Sequence, residues 1–566
     1  MTGLSRRQLL ERAAWAVSAG LLAACSAPAA PAQPAPSNTA PAVTPASGAA
    51  PTTAAGAKPT ADAGTPRTGG EFIFTVNADP PSWDIHQEST WAVLYPTQGH
   101  YNLLVRFSQS EYPKIVPEVA ESWTISPDGL TYDFKIRDGI MFHDGSLLTS
   151  QDVKVSYDHI INPPQGVLSP RKALYTAVDS VDAPDAHSIR FKLKYPSASL
   201  MLNLASPWNH IYKADLLAQD PHYYKKNVMG TGPFTFVEYV PGSHWIGKKN
   251  PNFWRKDRPY LDSFRAVFIT DDAARVAAIR GARSMIDFRT INPSAADDLQ
   301  RAMGDQVVIE QVPLLSAETA EYNTLRKPFD DARFRRALTL AVDRWAGAQA
   351  LSQVTYFKGV GMSMRPGSTF AISDDELKTV AGYSTDIDKS RAEAMSLLQQ
   401  AGIPNGFGFT LTDRNVEPFP TMGIFLIDQW RRIGLNVEHQ VLETGPYTEA
   451  QRAGNFDAYV GAIGDFADDP DQQLARWISK DRSPANYGGY IDRTLDDLFD
   501  RQSREQDQGK RKQIVFDFDK RLYDEMAYKL MGLWQQRIVA RLSKVHGWSI
   551  TPSYYINDIT DVWLSS

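Results

Sequence analysis

Residues 117–152 read PEVAESWTISPDGLTYDFKIRDGIMFHDGSLLTSQD, and their sequence of turns and alternations decides the fold. Trp123 and Ile125 alternate into Ser126-Pro127-Asp128-Gly129, where proline presets φ for a turn and glycine accepts a positive φ, so a returning strand is expected. In that strand Tyr132, Phe134 and Ile136 point one way while Thr131, Asp133, Lys135 and Arg137 point the other, the period of two of a sheet with one wet face. Asp138-Gly139 turns the chain again, and His143-Asp144-Gly145 bends it once more. Thr149 and Asp152 have the spacing of a capping box, at the start of a helix that Pro163-Pro164 ends. These residues serve turning and packing, so the stretch speaks to fold and not to ligand.

Outward from this stretch, length and composition set the frame. A chain of 566 residues that is 43% hydrophobic and 11% aromatic is too long for one ordinary core and can fold into at least two lobes. The net charge of −6 is spread over interspersed acids and bases, which leaves no nucleic-acid footprint and no polybasic membrane patch. One cysteine, Cys25, excludes an internal disulfide framework and a cysteine-built metal site.

The N-terminus reads as an export signal. Ser5-Arg6-Arg7-Gln8-Leu9-Leu10 precedes an Ala-rich apolar run from Ala13 to Ala24, too short to span a bilayer but suited to a signal-peptide core. Leu22-Ala23-Ala24-Cys25 resembles a bacterial lipobox, in which small residues admit a peptidase and the thiol carries diacylglycerol. The plain alternative is an ordinary cysteine in a cleaved signal. The paired arginines resemble the twin-arginine export signal, although Glu11 stands where a basic residue is common. Residues 26–68 are Ala, Pro, Thr, Ser and Gly with almost no large apolar side chain, and are expected to be a disordered tether with a reach of roughly 35 Å.

The body opens with the strand Phe72 to Val76. Further strands are expected at Ser188 to Tyr195, where Ile189, Phe191, Leu193 and Tyr195 share a face, and at Phe234 to Tyr239 after Gly230-Thr231-Gly232-Pro233. Those glycines are not a phosphate loop, since no Lys-Ser or Lys-Thr follows and no helix starts there. Asn250-Pro251-Asn252-Phe253-Trp254-Arg255 and Pro259-Tyr260-Leu261-Asp262 lead into a strand at Phe264 to Ile269. A helix from Arg333 to Arg344 is predicted from the apolar stripe Phe334, Leu338, Ala341 and Val342. Helix Asp388 to Ala401 stops at Gly402, and the helix before Gly434 leads into strand Asn436 to Leu442, so these are αβ units.

In this order, the motifs at 117–152, 230–234, 250–262, Tyr322-Asn323-Thr324 and Lys327-Pro328-Phe329-Asp330-Asp331 resemble family 5 of the bacterial extracellular solute-binding proteins, the peptide and nickel receptors of ABC importers. The resemblance runs from about Gly69 to Trp548. It implies an α/β, two-lobed periplasmic-binding-protein type II-like fold with an extra subdomain inserted in the N-terminal lobe. Mapped here, residues 1–25 are the signal peptide, 26–68 the tether, 69–115 with 225–325 and 541–566 lobe one, 116–224 the inserted subdomain and 326–540 lobe two. It further implies a monomer, lipid-anchored at the outer face of the cytoplasmic membrane, with no cofactor or metal. Such a receptor captures a solute, most readily a peptide, and delivers it to permease and ATPase subunits. An oligosaccharide, a metal chelate or a sensing role on the same fold remains open.

The same resemblance supplies site candidates. In Phe456 to Asp471, FDAYVGAIGDFADDPD, Asp465 is similar to the aspartate that pairs with a ligand α-ammonium in peptide receptors. The alternative is a solvated acidic loop with Asp468, Asp469 and Asp471; the spacing and glycine of an EF-hand are missing. Ala462 stands where the peptide receptors usually carry Trp, and the loop before Pro470 is one residue longer. Thr90 and Trp91 fall in a loop that reaches the cleft from lobe one, and Arg365 falls near a segment that meets a ligand carboxylate, for which a guanidinium fork is suited. Trp208, Tyr487, Tyr490 and Trp534 are further candidates to line the pocket, with core packing as the plain alternative. For catalysis there is no Gly-x-Ser-x-Gly elbow, no His-Glu-x-x-His, no Walker loop and no Gly-x-Gly-x-x-Gly, which leaves a secreted hydrolase as the remote alternative and no enzyme as the reading.

Overall fold

The computed structural model describes residues 64–464 and 466–565. Arg6, Arg7, Cys25, the signal peptide and the tether through residue 63 lie outside the described residues, as does Asp465. Among the described residues no helix is long and apolar enough to cross a membrane.

In chain order the strands are β1 (Glu71–Val76), the short pair β2 (Val105–Phe107) and β3 (Ile115–Pro117), then β4 (Ala120–Ile125), β5 (Thr131–Ile136), β6 (Val178–Asp185) and β7 (Ser188–Leu193). After them come β8 (Phe234–Val240), β9 (His244–Lys249), β10 (Ser263–Phe268), β11 (Ile286–Asp287) and the long β12 (Val307–Tyr322). The second half carries β13 (Phe357–Gly359), β14 (Gly408–Arg414), β15 (Asn436–Leu442), β16 (Ala458–Gly464) and the long β17 (Lys529–Leu542).

The deciding stretch folds as its chemistry dictates. Gly129 takes φ +69° in the turn between β4 and β5, and its amide donates to the Ser126 carbonyl at 2.9 Å. Tyr132, Phe134 and Ile136 are buried on one face of β5, and Phe134 meets the Phe191 ring of β7 edge-on at 5.8 Å. Helix Ser150–Ile161 crosses behind this four-stranded sheet, ordered β4-β5-β7-β6. Asp152 accepts from the Thr149 amide at 2.8 Å through one oxygen and from the Ala214 amide at 2.9 Å through the other, so the cap also fastens the helix to its neighbour.

Apart from the separate β2-β3 pair, the remaining strands named above form one further sheet, ordered β15-β14-β16-β12-β17-β11-β1-β10-β9-β8, with β13 attached to β17. Three hydrophobic cores lie on it and beside it. Phe74, Phe264 and Phe288 belong to the first, Phe134, Tyr157 and Phe191 to the second around the four-stranded sheet, and Phe334, Trp430 and Trp534 to the third. Among the described strands, β17 pairs with β11 of the first half and β13 of the second, and β12 runs beside it before pairing with β16. Val307 to Pro313 of β12 pair with Gln536 to Leu542 of β17, and Ala317 to Glu321 with Lys529 to Trp534, with register shifts on either side of Ala317. β12 pairs with β16 from Ser316 onward, while β17 meets β11 at Arg541. The outside partners of this ladder therefore change within the two strands themselves.

One predicted helix is two. Helix Ala332–Leu340 ends and Arg344–Leu351 begins anew, its first turn capped by Asp343, which accepts from the Ala346 amide at 3.0 Å. The break lets the Arg344 guanidinium enter the third core, where it donates to the Met531 carbonyl at 2.8 Å.

Gly230 and Gly232 owe their identity to close approach. A Cβ on Gly230 would stand 2.1 Å from the His100 carbonyl oxygen, and one on Gly232 2.3 Å from the His100 carbonyl carbon. The Gly232 amide uses that proximity to donate to the His100 oxygen at 2.9 Å. Gly232→Ala should therefore lower unfolding stability by about 3 kcal/mol, read by urea denaturation; an unchanged midpoint would refute this account.

Candidate functional site between the two halves

Strand direction locates the site. β12 runs from the first half into the second, and β16 is antiparallel to it, so β16 and its parallel neighbour β14 run toward the junction. β17 runs the other way, and β11, antiparallel to β17, runs toward the junction with its parallel neighbour β1. The C-terminal ends of parallel strands from both halves thus converge on one seam, where open α/β sheets bind ligands.

From the first half the seam receives Asn77 after β1, Arg289 after β11 and the segment Thr551–Asn557. That segment is held by Arg537 of β17, fully buried, whose guanidinium donates to the carbonyls of Thr551 at 2.9 Å and Ser553 at 2.7 Å, to Asn557 Oδ1 at 3.0 Å and to the Phe288 carbonyl. A further bond, Leu315 amide to Pro552 carbonyl at 2.8 Å, ties it to the bend in β12. Trp91 opens helix Trp91–Thr97, with Thr90 as its cap accepting from the Ala92 amide at 3.2 Å, so this pair starts a helix where a loop was expected. The Trp91 indole donates to Asn77 Oδ1 at 2.6 Å. Arg289 lies over the Trp91 ring, 4.6 Å from its centroid, and 6.0 Å from that of Tyr554.

From the second half the seam receives Glu318 of β12, Tyr356 ahead of β13, and Gln535 of β17. Glu318 is 1% exposed and accepts from Gln535 Nε2 at 3.0 and 3.2 Å. Among the described residues no cation pairs with it, and burial pushes its carboxyl up to about 8, so it is largely protonated at neutral pH. Burial also raises the phenols of Tyr356 and Tyr554. Arg289 acts on both in the opposite sense, and Glu318 acts on Tyr554, so these four groups share one electrostatic neighbourhood.

The loop after β16 closes against the four-stranded subdomain. Phe466 and Ala467 sit in that subdomain's core. The Asp468 amide donates to Tyr112 Oη at 3.0 Å, Gln472 to Asn203 at 3.1 Å, and the Ala198 amide to the Ser503 carbonyl at 2.9 Å. Between these contacts lies a cavity of about 380 Å³, with Tyr112 and Leu202 on one side and Arg365, Phe370, Asp468 and Arg511 on the other. The acids of the loop are not solvated. Asp468 pairs with Arg365 at 2.7 Å, Asp469 with Arg511 at 2.8 and 3.0 Å, and Asp471 accepts from Ser199 and from Gln502 at 2.5 Å. Burial raises the carboxyls of Asp468 and Asp471 despite these partners.

Of the residues singled out in the sequence, Trp91 stands at the seam and Arg365 at the cavity, already engaged by Asp468. Trp208 is buried against Tyr555, ring centroids 5.4 Å apart, with Arg171 over it at 4.7 Å. Trp534 is fully buried and donates to the Met362 carbonyl at 3.1 Å. Tyr490 stacks on Tyr528 at 3.9 Å and donates to the Trp477 carbonyl at 2.7 Å, inside the third core. Tyr487 packs on the small cluster of Tyr447, Phe456 and Tyr459. Arg289, Glu318, Tyr554 and Asp468 were not singled out, since a lone Arg or Glu in a chain with 59 bases and 65 acids carries no local signal. Among the described residues no group of three or more His, Cys, Asp or Glu could hold a metal.

Comparison with known proteins bears on the family and the fold. The model for the middle region of family 5 of the bacterial extracellular solute-binding proteins matches residues 114–485. The chain belongs to this family. Di/tripeptide-binding protein 1 of Pseudomonas aeruginosa is 26% identical over 472 residues, 78% of this chain and 85% of that protein. Heme-binding protein A of Haemophilus influenzae is 28% identical over 412 residues, 67% and 71% of the two chains. Among solved structures, the periplasmic binding protein DppA of Helicobacter pylori in complex with the peptide STSA superposes with a TM-score of 0.74 at 25% identity, covering 88% of this chain and 99% of the other. The fold of this family 5 member is accordingly the two-lobed, type II-like one.

Two outcomes follow for the seam and the cavity. Asp468→Ala would strand a mostly buried Arg365 and should cost about 3–5 kcal/mol in urea denaturation; a loss below 1 kcal/mol, a value typical of exposed pairs, would contradict the pairing. Because the folded Glu318 holds its proton up to about pH 8 and the ordinary value is 4.5, the native state binds more protons than the unfolded chain between them. Its contribution to stability therefore falls as pH rises through that window. Glu318→Gln should flatten the dependence of unfolding free energy on pH from about 5 to 8; identical slopes for the two proteins would rule it out.

Proposed function

We propose that this chain is the substrate-binding component of an ABC importer, capturing an extracellular solute between its lobes and presenting the closed form to the permease. The observation that carries the reading is the seam itself, where strand ends from two lobes meet across a ladder bent between residues 313 and 317, while the loop at 466–472 grips the subdomain opposite. A ligand that touches both lobes favours the engaged form over the open one, which is how such a receptor signals occupancy. A peptide is the solute class the relatives support best, through the di/tripeptide-binding protein and the STSA complex. Asp465 is the residue proposed to receive its α-ammonium. Cys25 would carry the lipid that keeps the receptor at the outer face of the membrane, with residues 26–68 as its leash. Release to the permease calls for micromolar binding, about −8 kcal/mol.

A second reading, a small solute other than a peptide, is favoured by Ala462 in place of the Trp usual in peptide receptors and by the prior engagement of Arg365 with Asp468.

Native mass spectrometry of the protein purified from its own cells should show peptides carried through purification; sugars or a metal chelate in their place would overturn the peptide assignment. Asp465→Ala should weaken a bound peptide with a free amine at least tenfold and leave its N-acetylated form within twofold. Equal losses for both would remove Asp465 from the site.

A further inference from the structure

The arginines packed inside this protein end on oxygen. Arg335, Arg344 and Arg537 reach backbone carbonyls, and Arg275, Arg365 and Arg511 reach carboxylates. Arg289 does neither. Among the described residues its side chain has no hydrogen bond or ion pair, its Nε is buried without an acceptor, and its planar group rests on the rings of Trp91 and Tyr554. The neighbouring acid does not neutralise it, since Asp287 gives one oxygen to Arg275 Nε at 2.7 Å and the other to the Arg289 backbone amide at 3.0 Å. Nor does the opposite wall, where Glu318 is held by Gln535 and Tyr356 presents a phenol.

A guanidinium resting on the Trp91 face, with the Tyr554 ring beside it and its donor edge unclaimed at the meeting point of strand ends, is arranged for a planar bidentate anion. We propose that Arg289 is the anchor for a carboxylate of the transported solute, so that the receptor selects solutes carrying a free carboxylate over their neutral analogues. The inference rests on the reading as a solute receptor and sharpens it, because it fixes a functional group of the ligand without naming the rest. The Trp91 ring does two things. It holds the fork in place, which reduces the ordering that binding must supply, and it shields one face from water, which strengthens the pairing with an entering anion. The carboxylate would belong to a peptide C-terminus or an acidic side chain in the first reading of function, and to an organic acid in the second.

The test uses the full chain in mild detergent and isothermal calorimetry with paired probes: Ser-Thr-Ser-Ala and Met-Leu against their C-terminal amides, and glucuronate against glucose. The wild-type chain should bind at least one free acid, and at least tenfold more tightly than its neutral partner. Arg289→Gln should erase that ratio while leaving the melting temperature of the unliganded protein close to wild type, and Arg289→Lys, which keeps charge but not the fork, should fall between. A variant Arg289→Gln that keeps the acid-over-neutral ratio overturns the proposal, as does binding of neutral probes alone or of none of the set. Selective binding of glucuronate with no peptide would sink the peptide assignment and uphold Arg289. Peptides bound without regard to their carboxylate would uphold the receptor and remove Arg289 from its role.

Discussion

The ladder between β12 and β17 is the constraint on which the rest of the molecule depends. Backbone hydrogen bonds run almost continuously along both strands, yet the partners outside the pair change from β11 to β16 as the ladder crosses the junction. A shared ladder keeps the two halves in register while the shifts around Ala317 give it a place to bend, which a packed core does not offer. Arg537, near the same crossing, gathers four acceptors from segments far apart in sequence and so ties the C-terminal segment with Tyr554 to the first half. The rim of the site is thus built onto the bending element and not onto a free loop.

Charge is managed on one rule throughout. A buried ion is costly unless matched, so interior arginines end on oxygens and the loop at 468–471 spends its acids on Arg365, Arg511, Ser199 and Gln502. Glu318 obeys the rule differently, by holding its proton. Arg289 departs from it, and departures of this kind are expected where a protein binds something. The same accounting explains why Arg365, which resembles a carboxylate receptor in its family, is a less available cation here than its position suggests: Asp468 already occupies its fork.

The relatives bear on these features unequally. The family model over residues 114–485 establishes the family, and a shared fold does not by itself fix the solute, which is decided by the residues of the site. The loop before Pro470 is the element whose Phe466 and Ala467 enter the core beside the four-stranded sheet, so its length bears on how the two sides engage.

Local chemistry made much of the fold legible. The Ser126 to Gly129 turn, the alternation of β5 and β7, the Asp152 cap and the helix-glycine-strand units before Gly402 and Gly434 all depend on neighbours a few residues away, and each stands as read. The break of the predicted helix at residues 341–343 was not legible, because it serves a core position for Arg344 defined by Met531 and Gly382, distant in sequence. The close approach of Gly230 and Gly232 to His100 was hidden for the same reason, whereas the burial of Trp208, Tyr490 and Trp534 is the core packing that the sequence offered as the alternative to a pocket role. By itself, then, the sequence determined the turns, the strand and helix periods and, through ordered motifs, the family. Only the tertiary structure decided which charges are paired and which are left over, since an ion pair between residues 365 and 468, or a guanidinium at 289 lying over the ring of 91 and beside that of 554, exists only after long-range folding has brought its members within a few ångströms.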